Sequence, residues 1–316
     1  MQYITISELS SLIRNNLHLI PHDVDLVVGI PRSGMLPANL IALYLNVQLT
    51  DINSFVDRRV YASGYRMRSA VERPIKKVLI VDDSVQSGRA IKEARDKLQT
   101  VESEYDLSYM APIVTSEGAE HVDIYLKIVD DFRLFEWNVF HHNFLSDACL
   151  DIDGVLCKDP EIDDDGPRYI NYLRHAKPLY VPSVPVKALI TCRLEKYRSI
   201  TEQWLQEHGI RYEELVMLDL PDRSSRVKWG RYGEFKATYY KHSSALLFIE
   251  SSANQAETIA KKSNKPVICV ETNKLIDYSL SYNSLKQKSA NRFPGLYNRV
   301  RSLPPFLHKA CRLIIP

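Results

Sequence analysis

Two short apolar runs in this 316-residue chain each end in a pair of acids, and few folds can use that pattern. The first is Val78-Leu79-Ile80-Val81-Asp82-Asp83-Ser84-Val85-Gln86-Ser87-Gly88. The second is Ala148-Cys149-Leu150-Asp151-Ile152-Asp153-Gly154-Val155-Leu156. A short unbroken apolar run marks a strand covered on both faces, the condition of strands in a parallel sheet. Open sheets of that kind bind their ligands beyond the carboxyl ends of the strands. Each run therefore delivers carboxylates to the place where a ligand would sit.

The length suffices for two domains of ordinary size. With 45% hydrophobic and 25% charged residues, both can be globular cores of a soluble protein. A net charge of +2 gives no case for nucleic acid as a partner. The five cysteines (149, 157, 192, 269 and 311) include no CxxC pair or metal-ligand spacing, so they read as reduced thiols of a cytoplasmic protein. Met1-Gln2-Tyr3-Ile4-Thr5-Ile6-Ser7 has no basic stretch leading into an apolar core, and no later run is long enough to span a bilayer.

Along the chain, Ser7 is expected to cap a helix to about Asn16, followed by a strand at 25–30 and a helix carrying Leu36, Leu40, Ile41, Leu43, Tyr44 and Leu45. Residues 57–73 change to Arg, Tyr, Ser and Gly, with Arg58, Arg59, Arg66, Arg68 and Arg73, and read as a loop or hairpin. Strand 77–82, a helix from about Gly88 to Leu98, and strands near 108–114 and 122–129 complete a first alternation. After a boundary near 140–147, a second follows: strand 148–152, a polar insert to about 185, strand 187–191, helix 195–208, strand 245–249, helix 253–263 and strand 266–270. The fold class is thus α/β, with two parallel-sheet, Rossmann-like domains, 1–143 and 144–273, and a basic tail, 274–316.

In the first run, two carboxylates end the strand and a small-residue turn opens a helix. Successive backbone amides in such a turn, added to the helix dipole, cradle a phosphate, while the carboxylates can accept hydrogen bonds from neighbouring sugar hydroxyls. The stretch Asp82-Asp83-Ser84-Val85-Gln86-Ser87-Gly88 resembles the phosphoribosyl-diphosphate motif of type I phosphoribosyltransferases. Gly29-Ile30-Pro31-Arg32-Ser33-Gly34 is similar to that family's diphosphate loop, and the Arg-rich segment 57–73 stands where its closing loop belongs. The resemblance implies that Asp82 and Asp83 hold the ribose hydroxyls and that Ser84, Val85, Gln86, Ser87 and Gly88 hold the 5-phosphate. Arg32, Ser33 and Gly34 would hold the diphosphate of phosphoribosyl diphosphate, whose charge magnesium neutralises. Trp137 resembles the aromatic residue closing the acceptor pocket of purine-type members. His141-His142-Asn143 stands where those members carry Pro-Trp-Glu, which argues against a purine acceptor.

In the second run, residues two apart at a strand end can face one phosphate, and Gly154 permits the sharp exit. A calcium loop of EF-hand type fails, because Val155 and Ile162 occupy ligand positions. Asp151-x-Asp153-Gly154 resembles motif one of the haloacid-dehalogenase phosphatases, with three further motifs in order: Thr191 ending Ala188-Leu189-Ile190, a cation at Lys236 (rivals Lys228 and Lys241), and Glu250 followed by Ser251 and Ser252. The resemblance implies nucleophilic Asp151, acid/base Asp153, phosphate-binding Thr191 and Lys236, and a magnesium ion on Asp151, Asp153 and Glu250. The insert at about 157–185 is short, so only a small cap and an open site are expected.

From 274 to 316 there are eight Lys or Arg against one acid, Asp277, with apolar residues interleaved. Such a segment can lie on an anionic membrane surface or pack on its own domain. The pairing of a transferase with a phosphatase resembles dual-domain ribofuranosyltransferases of bacterial surface-polysaccharide assembly. It implies a glycan acceptor, lipid-linked, whose new phosphoribosyl group then loses its phosphate. The alternatives are a nucleobase salvage transferase fused to a nucleotidase and a regulatory sensor of phosphoribosyl diphosphate.

Overall fold

The computed structural model describes residues 1–61 and 74–278. The chain divides into two compact units, Met1–Val139 and Phe140 onward. Each has its own six-stranded sheet.

The first unit runs β1 (Gln2–Ile4), α1 (Ile6–Asn15), β2 (Leu26–Gly29), α2 (Met35–Leu45), β3 (Gln48–Asp51), α3 (Ile52–Val56), β4 (Lys77–Val81), β5 (Ser84–Val85), α4 (Arg89–Leu98), β6 (Asp106–Val114), β7 (Ile124–Ile128) and β8 (Arg133–Phe135). The sheet order is β3-β2-β4-β6-β5, with β7 also on β6, and every pairing is parallel. β1 and β8 form a separate parallel pair. The period of two in β4 serves both faces of the sheet. Val78 and Ile80 pack with Ile91, Ala94 and Leu98 of α4, whereas Leu79 and Val81 pack with Leu9 and Ile13 of α1 and Ala38 and Ile41 of α2. The first acid pair thus follows a run, Val78 to Val81, that is buried throughout.

The cap of α1 is Thr5, where the sequence reading had placed it at Ser7. Thr5 Oγ1 accepts from Glu8 N at 3.1 Å and Glu8 Oε2 accepts from Thr5 N at 2.9 Å, a reciprocal capping box. Ser7 has Ser10 three residues on and no acid to return the bond, so it lies inside the helix.

The second unit continues with β9 (Ala148–Leu150), α5 (Pro167–His175), β10 (Val186–Leu194), α6 (Arg198–Glu207), β11 (Tyr212–Leu218), α7 (Arg223–Trp229), α8 (Tyr232–His242), β12 (Leu247–Glu250), α9 (Ala253–Ser263), β13 (Val267–Cys269) and β14 (Lys274–Ile276). Its order is β11-β10-β9-β12-β13-β14, parallel except for β14. β9 lies between β10 and β12, so the second acid pair also leaves a central strand. Four elements here were not foreseen: α5 inside the polar insert, β11, α7, and β14 at residues assigned to the tail. Arg66, Arg68 and Arg73 of the Arg-rich loop and nearly all of the basic tail lie outside the described residues. Among the described residues, no helix is long and apolar enough to cross a membrane.

Thr5→Ala should lower the stability of the first unit by about 1 kcal/mol, read from the urea midpoint of its unfolding transition, and Ser7→Ala by much less. Equal losses at the two positions would contradict the assignment of the cap to Thr5.

Candidate functional site

The first constellation is assembled by two turns that meet. A Cβ added at Gly34 would stand 2.6 Å from Ile30 O, 2.7 Å from Val81 O and 3.0 Å from Asp82 Cα, so only glycine lets the turn after β2 close onto the end of β4. Gly34 is thereby brought beside Asp82. Asp82 and Asp83 are buried, at 6% and 8% exposure. Asp82 Oδ1 accepts from Asp83 N at 2.9 Å, and Asp83 Oδ1 accepts from Ser84 N at 2.8 Å. Asp83 Oδ2 accepts from Trp137 Nε1 at 3.1 Å. Burial, reinforced by the neighbouring Asp83 carboxylate, pushes Asp82 up to about 7.

The five residues expected to cradle a phosphate do not share one role. Ser84 and Val85 form β5 on β6, and the Val85 side chain belongs to the core. Ser84 N is directed to Asp83. Gln86-Ser87-Gly88 forms the turn that follows, with Gly88 left-handed at φ 67° just before α4. Arg133, which the sequence offered no reason to single out, reaches this turn from β8: its Nη2 donates to Gln86 Oε1 at 3.1 Å. His141 and His142 have local roles, His141 Nδ1 lying 3.1 Å from Ser183 Oγ and His142 Nδ1 accepting from Phe144 N at 3.1 Å.

The second constellation is built on three adjacent elements. Asp151 follows β9, Glu250 ends β12, and Lys236 projects from the middle of α8. Lys236 Nζ donates to Asp151 Oδ2 at 2.6 Å and to Glu250 Oε2 at 2.7 Å, with all three residues buried. Lys228 and Lys241 occupy the last turns of α7 and α8, leaving Lys236 as the lysine at this pair. Burial pushes Asp151 up to about 8 against the pull of Lys236, while the two carboxylates hold the Lys236 ammonium charged. Thr191, buried in β10, lines the same cavity as Asp151 and Lys236.

Asp153 lines the same cavity but has different partners. Its carboxylate accepts from Arg193 Nη2 at 2.6 Å and Nε at 3.0 Å, and from the Tyr172 hydroxyl at 2.7 Å. Burial alone would raise Asp153, but Arg193 and Tyr172 outweigh it and hold the carboxyl below its usual range. Arg193 stands two residues beyond Thr191 on the same strand; that spacing was the available signal in the sequence. Gly154 has φ 75°, and a Cβ there would approach Ser251 Oγ to 2.5 Å. Ser251 Oγ lies 3.1 Å from the Asp153 carbonyl and 3.4 Å from Glu250 Oε1. Among the described residues, no three His, Cys, Asp or Glu side chains group closely enough to hold a metal. The oxygens facing one another across Ser251, with the Asp151 carboxylate, are nevertheless hard donors of the kind magnesium accepts alongside its own waters.

The comparisons with known proteins concern the first unit. The family model described as "Phosphoribosyl transferase domain" matches residues 2–148. The xanthine-guanine phosphoribosyltransferase of Chromohalobacter salexigens is 32% identical over 126 residues, 38% of this chain and 73% of that protein. Through this segment the chain belongs to the phosphoribosyl transferase family, which uses phosphoribosyl diphosphate as substrate. Among solved structures, the purine phosphoribosyltransferase of Pyrococcus horikoshii aligns at 17% identity and a TM-score of 0.32, covering 43% of this chain and 92% of that one. The xanthine-guanine-hypoxanthine enzyme of Helicobacter pylori aligns at 14% identity and 0.33, covering 44% and 92%.

The raised Asp82 makes stability depend on pH. Folded Asp82 keeps its proton up to about pH 7, whereas the usual carboxyl value is 3.8. Between these values the folded state binds more protons than the unfolded one, so stability falls as pH rises. The displacement corresponds to on the order of 4 kcal/mol above pH 7. Asp82→Asn should therefore melt higher than the unaltered protein at pH 8 and nearly equally at pH 4. A variant whose melting temperature declines as steeply over that range would contradict the assignment.

Proposed function

We propose that the first unit transfers the 5-phosphoribosyl group of phosphoribosyl diphosphate to an acceptor, and that the second is a haloacid-dehalogenase-like phosphomonoesterase that removes a phosphate from a sugar ester. In the first, Asp82 and Asp83 accept the ribose hydroxyls, Gln86, Ser87 and Gly88 cradle the 5-phosphate, and Arg32, Ser33 and Gly34 hold the diphosphate with its magnesium. Displacement of diphosphate at the anomeric carbon leaves positive charge on the ribose, which a buried carboxylate pair favours. Trp137 must release Asp83 Oδ2 when a ribose hydroxyl takes its place.

The observation that carries the phosphatase reading is the buried ammonium of Lys236 held between Asp151 and Glu250, at 2.6 and 2.7 Å, on a cavity that also contains Thr191. Asp151 is the nucleophile on phosphorus, and Lys236 and Thr191 bind the phosphoryl oxygens. Asp153, ionised beside Arg193, suits the second half of the reaction, in which a water must lose its proton to attack the phosphoryl-enzyme. Asp151, the Asp153 carbonyl and Glu250 would hold magnesium, which supplies charge neutralisation for the phosphoryl group.

Two acceptors are each favoured by one observation. The relative at 32% identity is a xanthine-guanine enzyme, which favours a purine base and a salvage role. The phosphatase constellation on the same chain favours a ribofuranosyl product on a glycan, possessing no phosphate at the end. In salvage, removing the phosphate would discard the nucleotide just made.

Asp83→Asn should abolish transfer yet leave hydrolysis of a small phosphate ester, whereas Asp151→Asn should do the reverse and accumulate product still carrying the ribose phosphate. Mass spectrometry of reactions supplied with phosphoribosyl diphosphate and either xanthine, guanine or a lipid-linked glycan reads both outcomes and names the acceptor. Fully dephosphorylated product from Asp151→Asn would remove Asp151 from the reaction.

A further inference from the structure

Four buried side-chain polar atoms among the described residues lack any hydrogen-bond partner: Asn138 Oδ1, Asp163 Oδ1, Arg226 Nε and Gln255 Oε1. The first lies in the first unit. The other three belong to residues lining one cavity of about 580 Å³ in the second, the cavity that contains Asp151, Thr191 and Lys236. They come from separate segments: Asp163 precedes α5, Arg226 lies in α7 and Gln255 in α9. A buried polar atom without a partner is costly, and proteins rarely leave one so. Three on residues that line one cavity point to contacts that form with a ligand bound.

The arrangement also restricts the ligand. Arg226 is held in place on its other edge, where Nη1 donates to Cys192 O at 3.1 Å and Nη2 is paired with Asp163 Oδ2. One free donor, Arg226 Nε, is thus combined with two free acceptors. Hydroxyl groups, which donate and accept, satisfy such a mixed set. A polyanionic leaving group does not suit it, because Asp159, Asp163 and Glu271 line the cavity and Lys236, already bonded to Asp151 and Glu250, has a single donor left for the phosphoryl group itself. Tyr169 and Tyr232 add flat apolar wall against which the carbon face of a sugar can lie. The volume falls in the range of small-molecule pockets and is ample for a pentose phosphate.

We infer that Asp163, Arg226 and Gln255 form a subsite for the leaving group of the phosphatase reaction, and that this group is a neutral polyhydroxylated sugar, such as a furanose esterified at its primary hydroxyl. The inference rests on the phosphatase reading above. With the phosphate on Lys236 and Thr191, the ring hydroxyls meet the three unpartnered atoms.

The test compares kcat/KM of the full-length protein with magnesium on ribose 5-phosphate and on butyl phosphate, which lacks the hydroxyls. The unaltered protein should prefer the sugar ester by roughly tenfold or more, the scale of one lost buried hydrogen bond. Gln255→Leu and Arg226→Lys should each shrink that ratio, chiefly through KM for the sugar ester. 2-Deoxyribose 5-phosphate should fall between the two esters in the unaltered protein, a result that needs no variant to fold. Equal kcat/KM for sugar and butyl esters, with butyl phosphate hydrolysed, would overturn the subsite and leave the phosphatase standing. Hydrolysis of neither ester would overturn both.

Discussion

The ammonium of Lys236 between Asp151 and Glu250 is the contact on which the second unit depends. It joins α8 to the ends of two adjacent parallel strands, β9 and β12, in a place without solvent. Moving an ammonium there is expensive, and only close, doubly bonded carboxylates offset the cost. Removing any one member leaves the others with uncompensated charge, which in buried pairs costs about 3–5 kcal/mol. Such an arrangement contributes little net stability against an apolar substitute, so its presence at the floor of a cavity points to chemistry rather than to folding.

The two constellations start from the same strand geometry and differ in how charge is compensated. Asp82 and Asp83 have the Trp137 indole and backbone amides as their hydrogen-bond donors, and burial leaves Asp82 near neutrality in pH terms. The second site has its cations installed, Lys236 on Asp151 and Arg193 on Asp153. Under the proposed function, a ligand bringing hydroxyl donors would complete the first site and an anion seeking Lys236 the second, a contrast in charge compensation between two edges of similar strand geometry.

What could be read from the amino-acid order was local. β4 and β9 are continuous apolar runs and announced themselves, and Gly34, Gly88 and Gly154 follow from turns that need them. β11 was missed because Tyr212-Glu213-Glu214 opens it with polar residues on the edge strand of its sheet, where exposure hides the pattern. Ser7 is a cap residue by type alone, and the true cap at Thr5 is distinguished by Glu8 three residues on, which returns the bond. Arg193, Arg133, Asp163, Arg226 and Gln255 were not legible for another reason: in sequence a lone charged or amide residue reads as solvated surface, and only tertiary packing shows that Arg193 is 1% exposed.

The same distinction bears on how the acceptor of the first reaction should be reasoned about. The matched segment, residues 2–148, contains both the strand ends and turns proposed to hold phosphoribosyl diphosphate and the residues around Trp137, so the likeness to a xanthine-guanine enzyme bears on both. After Trp137, His141 Nδ1 lies against Ser183 Oγ and His142 Nδ1 accepts from Phe144 N. The chemistry of the second cavity constrains the acceptor from the opposite direction. Under the proposed phosphatase reading, the product of the first reaction offers a phosphate ester whose remainder is small or projects into solvent and whose hydroxyls can meet Asp163, Arg226 and Gln255. A terminal phosphoribosyl group on a longer molecule satisfies that requirement without any base-specific pocket, because the ring alone fills the subsite and the bulk of the acceptor stays outside.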